Sequence, residues 1–142
     1  MRVLILEDDG NLRYTFAVAF SQQGHDVTQA ACLQDAERAL LENRPDVAVL
    51  DLMIGDQNSI DIASLLALLS PKTEIIFVTG SCKFPNAELF QLVAPVAAVL
   101  RKPVDVQHLV DLVSHIQTHR VPEPRGYEFN GIADDRANPW LN

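Results

Sequence analysis

Val3-Leu4-Ile5-Leu6-Glu7-Asp8-Asp9 decides how this chain is read: four apolar residues in a row stop at three carboxylates. A run that short, with no polar alternation, fits a strand covered on both faces and is too brief for a buried helix. The pattern then returns. Val47-Ala48-Val49-Leu50 delivers Asp51, Ile75-Ile76-Phe77-Val78 ends in Thr79, and Ala97-Ala98-Val99-Leu100 ends near Lys102-Pro103. A weaker strand is expected from His25 to Ala30, after Gly24.

The intervening stretches change period. Leu12, Phe16, Ala19 and Phe20 recur at helical spacing, as do Leu33, Ala36, Leu40 and Leu41. A third helix is predicted from about Ser59 through Leu69, stopping at Ser70-Pro71 because the residue before proline is pushed out of the α region. A fourth is placed roughly at Pro85 to Val93. In the last, closing near Arg120, Val106, Leu109, Val110, Val113 and Ile116 form one stripe while Gln107, Asp111, Ser114 and Gln117 point elsewhere. Strand and helix thus alternate five times, which implies an α/β fold with a parallel sheet and helices on both faces. Sites in such sheets form at the carboxyl ends of strands, near the switch in winding direction. Glu7, Asp8, Asp9, Asp51, Thr79 and Lys102 all sit at or just beyond such ends.

Bulk properties bound the rest. A chain of 142 residues with 48% hydrophobic content supports one domain with a sizeable core, assigned to residues 1–120. Residues 121–142, with Pro122, Pro124, Gly126, Gly131 and Pro139 and no period, are expected to be a tail without an output domain, being fewer than the ~50 residues of an ordinary domain. Phe129 and Trp140 could anchor it, although stray aromatics in loose tails are as common. Nineteen acidic against eleven basic residues give a net charge of -8, which disfavours direct nucleic-acid binding. Cys32 and Cys82 lack metal-ligand spacing and are expected to be buried thiols in a reducing cytosol. With no basic leader and no long apolar span, a soluble cytoplasmic protein with no membrane partner is expected.

Taken together, the acidic pair after strand one, Asp51 after strand three, Thr79 after strand four and Lys102-Pro103 after strand five resemble the receiver domain of bacterial response regulators of two-component systems, over about residues 1 to 119. The resemblance implies a flavodoxin-like (βα)5 doubly wound sheet with strand order 2-1-3-4-5. It implies that Asp51 is the phosphoacceptor and that Glu7, Asp8, Asp51 and the Met53 backbone carbonyl hold Mg²⁺. It places Thr79 and Lys102 on the phosphoryl oxygens, and makes the donor a phosphohistidine on a sensor histidine kinase or histidine phosphotransfer protein. Such a module is no general enzyme. It catalyses only its own phosphorylation and dephosphorylation, and as a stand-alone unit it would signal to a downstream protein by contact. Mg²⁺ suits the residues on physical grounds too, being a hard ion that takes carboxylate and carbonyl oxygens.

The chain departs from the family in places. The family's switch pairs the threonine with an aromatic residue three positions before the lysine, and that position is Val99. The loop Met53-Ile54-Gly55-Asp56-Gln57-Asn58-Ser59 lacks the usual proline and Asp-Gly pair, and Pro95 stands where glycine is usual.

Each feature has a plainer alternative. Glu7-Asp8-Asp9 could simply cap the first helix, Asp51 or Lys102-Pro103 could be turn residues, and Thr79 could be a structural hydroxyl. Capping explains neither Thr79 nor Lys102, so the joint placement favours a site. His25, His108, His115 and His119 lack partner acids at ligand spacing, and the His115/His119 pair reads as a solvated face. Asp61, Asp105 and Asp111 read as surface charges. Tyr14, Ala17 and Val18 form either an exposed strip for a helical phosphotransfer partner or a half-buried face. Val96 to Val99 leave open a homodimer through strand five and the last helix, or plain strand burial. A nucleotide- or flavin-binding reading finds no Gly-rich phosphate loop after any strand. A phosphorylation-independent pseudo-receiver, serving as an interaction module, draws support from Val99 and the altered loops.

Overall fold

The computed structural model describes residues 1–80 and 96–120. The fourth predicted helix, Ser81, Cys82, Pro95 and the tail at 121–142 lie outside the described residues. In chain order come β1 (Arg2–Leu6), α1 (Gly10–Gln22), β2 (Asp26–Ala30), α2 (Leu33–Glu42) and β3 (Val47–Asp51). They are followed by a short pair β4 (Met53–Ile54) and β5 (Gln57–Asn58), then α3 (Ile60–Leu69), β6 (Glu74–Thr79), β7 (Val96–Arg101) and α4 (Val106–His119). The main sheet is parallel in order β2-β1-β3-β6-β7. With the β4–β5 hairpin set aside, that is the flavodoxin-like order 2-1-3-4-5 implied by the resemblance to receiver domains.

Period-two alternation along the central strands divides the core. Leu4, Leu6, Ala48, Leu50, Ile75 and Phe77 pack with Ala36 and Leu40 of α2 and Ile62, Ala63 and Leu66 of α3. Val3, Ile5, Val47, Val49, Ile76 and Val78 turn the other way, onto Phe16, Ala17 and Phe20 of α1 and Leu109, Val110 and Val113 of α4. The two apolar layers enclose the strands because neighbouring side chains on a strand face opposite sides of the sheet.

Several expectations need correction. Of the two readings left open for Tyr14, Ala17 and Val18, the half-buried face holds: Ala17 is buried in the α1–α4 layer and only Tyr14, at 66% exposure, is fully open. Leu41 is 60% exposed although it shares the spacing of Leu40, since the next residue is turned about 100° around the helix. Cys32 is exposed at the start of α2, not buried. β7 is an edge strand and only half-covered, so its apolar run does not mark burial on both faces. Asp105 is more than a surface charge: its side chain accepts the N–H groups of Gln107 and His108 and caps α4. The β4–β5 hairpin was not foreseen, two-residue strands being too short to show a period. His115 and His119 are exposed, as expected, with ring centroids 4.0 Å apart.

At the amino edge of the sheet, Asp46 accepts the Arg2 backbone N–H at 2.7 Å and pairs with the Arg120 guanidinium at 2.8 Å. The first strand and the end of the last helix are thus tied to one side chain just before β3. No helix among the described residues is long and apolar enough to cross a membrane.

Candidate functional site

At the carboxyl edge, sheet register does the assembling. Leu6 lies beside Leu50, so the next residues, Glu7 and Asp51, emerge as neighbours. Thr79 ends β6 beside Arg101, and its carbonyl accepts the Lys102 N–H at 2.9 Å, which brings the lysine to the same edge. The Lys102-Pro103 peptide bond is cis.

The three acids of the first loop divide their work. Asp9 caps α1, accepting the N–H groups of Asn11 and Leu12 at 2.9 and 3.1 Å. Glu7 and Asp8 instead gather with Asp51, one carboxylate oxygen from each lying within 4.8 Å of the others. Glu7 and Asp51 are almost fully buried, at 1% and 5% exposure, whereas Asp8 is exposed. The Arg13 guanidinium, one turn into α1, donates to the Glu7 carbonyl at 2.8 Å and steadies the loop.

Lys102 balances part of this charge. Its ammonium is 2.9 Å from Asp51 Oδ2 and 3.1 Å from Glu7 Oε2. Asp51 also accepts the Met53 N–H at 3.3 Å, and Glu7 Oε1 accepts the Asp9 N–H at 3.2 Å. Burial, reinforced by the charge of Asp51, pushes the Glu7 carboxyl up to about 7. Burial alone would lower the Lys102 ammonium, but hydrogen bonds to Asp51 and Glu7 and their charges outweigh it and raise it. Asp8 is held below the usual carboxylate range chiefly by the Gly55 N–H, which donates to Oδ2 at 3.0 Å.

Three carboxylates facing one ammonium leave an excess of negative charge. Glu7 Oε2 is buried and has no hydrogen bond of good geometry, although Lys102 lies within ion-pair distance. A buried carboxylate oxygen without a hydrogen bond, in an all-oxygen donor set, fits a hard divalent cation such as Mg²⁺.

Of the residues singled out from sequence, Glu7, Asp8, Asp51 and Lys102 come together directly, with half-buried Met53 two residues beyond Asp51. Thr79 is 1% exposed at the adjoining strand end. Val99 lies one strand over from Phe77, half-buried against the α2–α3 layer. Sequence reasoning missed Gly55 and Arg13 as supports of the pocket. The glycine carried a signal, since it stands four residues after Asp51 in a loop lacking proline; the arginine's contact depends on how α1 leaves the loop and had none.

Comparison with known proteins agrees with this geometry. Residues 3–114 match the response regulator receiver domain family. The sensory transduction protein LytT of Bacillus anthracis is 25% identical over 112 residues, covering 78% of this chain and 44% of the relative. The transcriptional regulatory protein PhoP of Escherichia coli O157:H7 is 36% identical over 62 residues, covering 44% of this chain and 28% of the relative. The chain therefore spans less than half the length of these curated relatives. Among solved structures, the non-phosphorylated HemR receiver domain of Leptospira biflexa superposes with a TM-score of 0.74 at 25% identity, over 86% of this chain and 98% of that one. A receiver domain from Clostridium thermocellum gives 0.72 at 23% identity, over 82% and 94%. On sequence, strand order and the arrangement at the sheet's carboxyl edge, this chain belongs to the response regulator receiver domain family.

Proposed function

We propose that this receiver accepts a phosphoryl group on Asp51 from a phosphohistidine, carried by a sensor histidine kinase or a histidine phosphotransfer protein, and passes its state to a partner by protein contact. The observation that carries the reading is Asp51 itself: a buried carboxylate at the end of a central strand, 2.9 Å from an ammonium and flanked by two further carboxylates. A structural ion pair would need one acid per lysine, and surplus buried charge is costly unless it has work to do.

In the transfer an Asp51 oxygen forms a bond to phosphorus while the bond to the donor imidazole nitrogen breaks, giving an acyl phosphate and a neutral histidine after protonation. Charge in such a transition state spreads over the peripheral phosphoryl oxygens, so positioning and electrostatics supply most of the catalysis. Lys102, already drawn to Asp51, moves onto one of these oxygens. Thr79, buried at the adjoining strand end, offers a hydroxyl to another. Glu7, Asp8, Asp51 and the Met53 carbonyl are the groups that would hold Mg²⁺, which when bound neutralises charge on the phosphoryl group. Water attacking phosphorus in the same pocket later returns free Asp51 and inorganic phosphate, so the mark is temporary.

With Val99 at its position, no aromatic ring is available there to change rotamer in step with Thr79. The phosphoryl state is instead transmitted through Thr79 and the backbone of Gly80, a residue whose conformation is easily altered. The test is intact-protein mass after incubation with Mg²⁺ and acetyl phosphate. One phosphoryl adduct on the wild type, lost in Asp51→Asn and without Mg²⁺, is expected. A folded wild type that never gains mass overturns the reading in favour of a phosphorylation-independent interaction module.

A further inference from the structure

We propose that the backbone N–H of Gly55 is a positioning group of the acidic pocket, through which the β4–β5 hairpin fixes the Asp8 carboxylate and raises the pocket's affinity for a divalent cation. The proposal rests on the metal-site reading of Glu7, Asp8 and Asp51. Two of those acids need no further help, because burial and Lys102 hold Glu7 and Asp51 in place. Asp8 differs: it is exposed, and no cation lies within ion-pair distance of it among the described residues. Its fixed partner is the Gly55 N–H, 47 residues along the chain and 3.0 Å from Oδ2.

The hairpin is built to present that N–H. Gly55 has φ of +62°, a conformation that side chains disfavour, and a proline there would have no N–H to give. Pairing of Met53 with Asn58 and of Ile54 with Gln57 sets the turn. Its ends are anchored, since the Ser59 N–H donates to the Leu52 carbonyl at 2.9 Å and the Asn58 side chain accepts the Ile60 N–H at 3.1 Å. A carboxylate has about four acceptor positions, so Oδ2 can take this bond and Asp8 still has lone pairs for an ion. Groups that hydrogen-bond a metal's ligands are commonly worth ~10- to 100-fold in affinity, because they orient the ligand before the ion arrives.

The decisive variant replaces the amide between Ile54 and Gly55 with a backbone ester, which removes the N–H and keeps the freedom of glycine at φ. Gly55→Asn serves as the rescue, retaining the donor in a residue that tolerates positive φ. Mg²⁺ binding is measured by calorimetry, and thermal unfolding without the ion reports any loss of fold. The ester is expected to bind Mg²⁺ about 10-fold more weakly than wild type, with Gly55→Asn within about 2-fold of it. A folded ester that binds as tightly as wild type overturns the proposal and leaves the metal site standing. A wild type that does not bind Mg²⁺ overturns both. The Gly55 amide in the wild type gives a second readout by hydrogen exchange: retained protection on saturation with Mg²⁺ is expected, whereas loss of protection would mean that ion and N–H compete for Asp8, which also overturns the proposal.

Discussion

Glu7 is a carboxylate shut away from water next to a second one. Its value rises from 4.5 to about 7, so between those pH values the folded protein holds a proton that the unfolded chain has released. The associated stability is present in full below pH 4.5 and is lost as pH rises through 7. Glu7→Gln, which keeps the shape without the charge, is expected to remove that slope and to stabilise the metal-free protein at pH 8 by on the order of 2 kcal/mol. Urea unfolding of both proteins at pH 5 and pH 8 checks this, and equal slopes would contradict it. If Glu7 helps hold Mg²⁺ as proposed, the same substitution is expected to weaken its binding at least ~10-fold, since a neutral amide replaces the carboxylate charge. At this scale the sequence showed that acids would cluster but not how they would share roles. Three adjacent carboxylates look alike on paper, and only the start of α1 at Gly10 makes Asp9 the cap and frees Glu7 and Asp8 to face Asp51.

The elements themselves were legible where burial left a strong period. The central strands announced themselves as apolar runs because helices cover both their faces, and α3 stops at Ser70, one residue before Pro71, as the proline required. Exposure of Leu41 escaped notice, and Ala17 stayed open between an exposed strip and a half-buried face, because both depend on which neighbour each helix meets, a matter of tertiary packing rather than of spacing. Capping was only half-read, with Asp105 passed over. Both aspartate caps make the same pair of backbone contacts, so Asp9→Ala and Asp105→Ala are each expected to cost about 1 kcal/mol in urea unfolding. Asp9→Ala should leave phosphorylation of Asp51 intact if capping is its whole role. A lost adduct in the folded variant would place Asp9 in the pocket chemistry as well.

For the molecule as a whole, stability and function draw on the same central strands. Phe77 is completely buried between β3 and β7 on the α2–α3 side, and Phe77→Ala is expected to cost about 3 to 5 kcal/mol by thermal or urea unfolding. That is a large share of the ~5 to 15 kcal/mol of a typical domain, so partial unfolding at growth temperature would accompany it. Alternation alone made the parallel sheet with helices on both faces readable, whereas the strand order came from the resemblance to the receiver family. The role of the amino edge was not readable, since Asp46, Arg2 and Arg120 are far apart in sequence and ordinary in composition. Their meeting brings the first strand and the end of α4 together at the rim opposite Asp51, with the length of β3, ~16 Å, in between. A fold threaded this way behaves as a cassette. Both ends of the cassette lie at one rim, and the carboxylates of Glu7, Asp8 and Asp51 lie at the other.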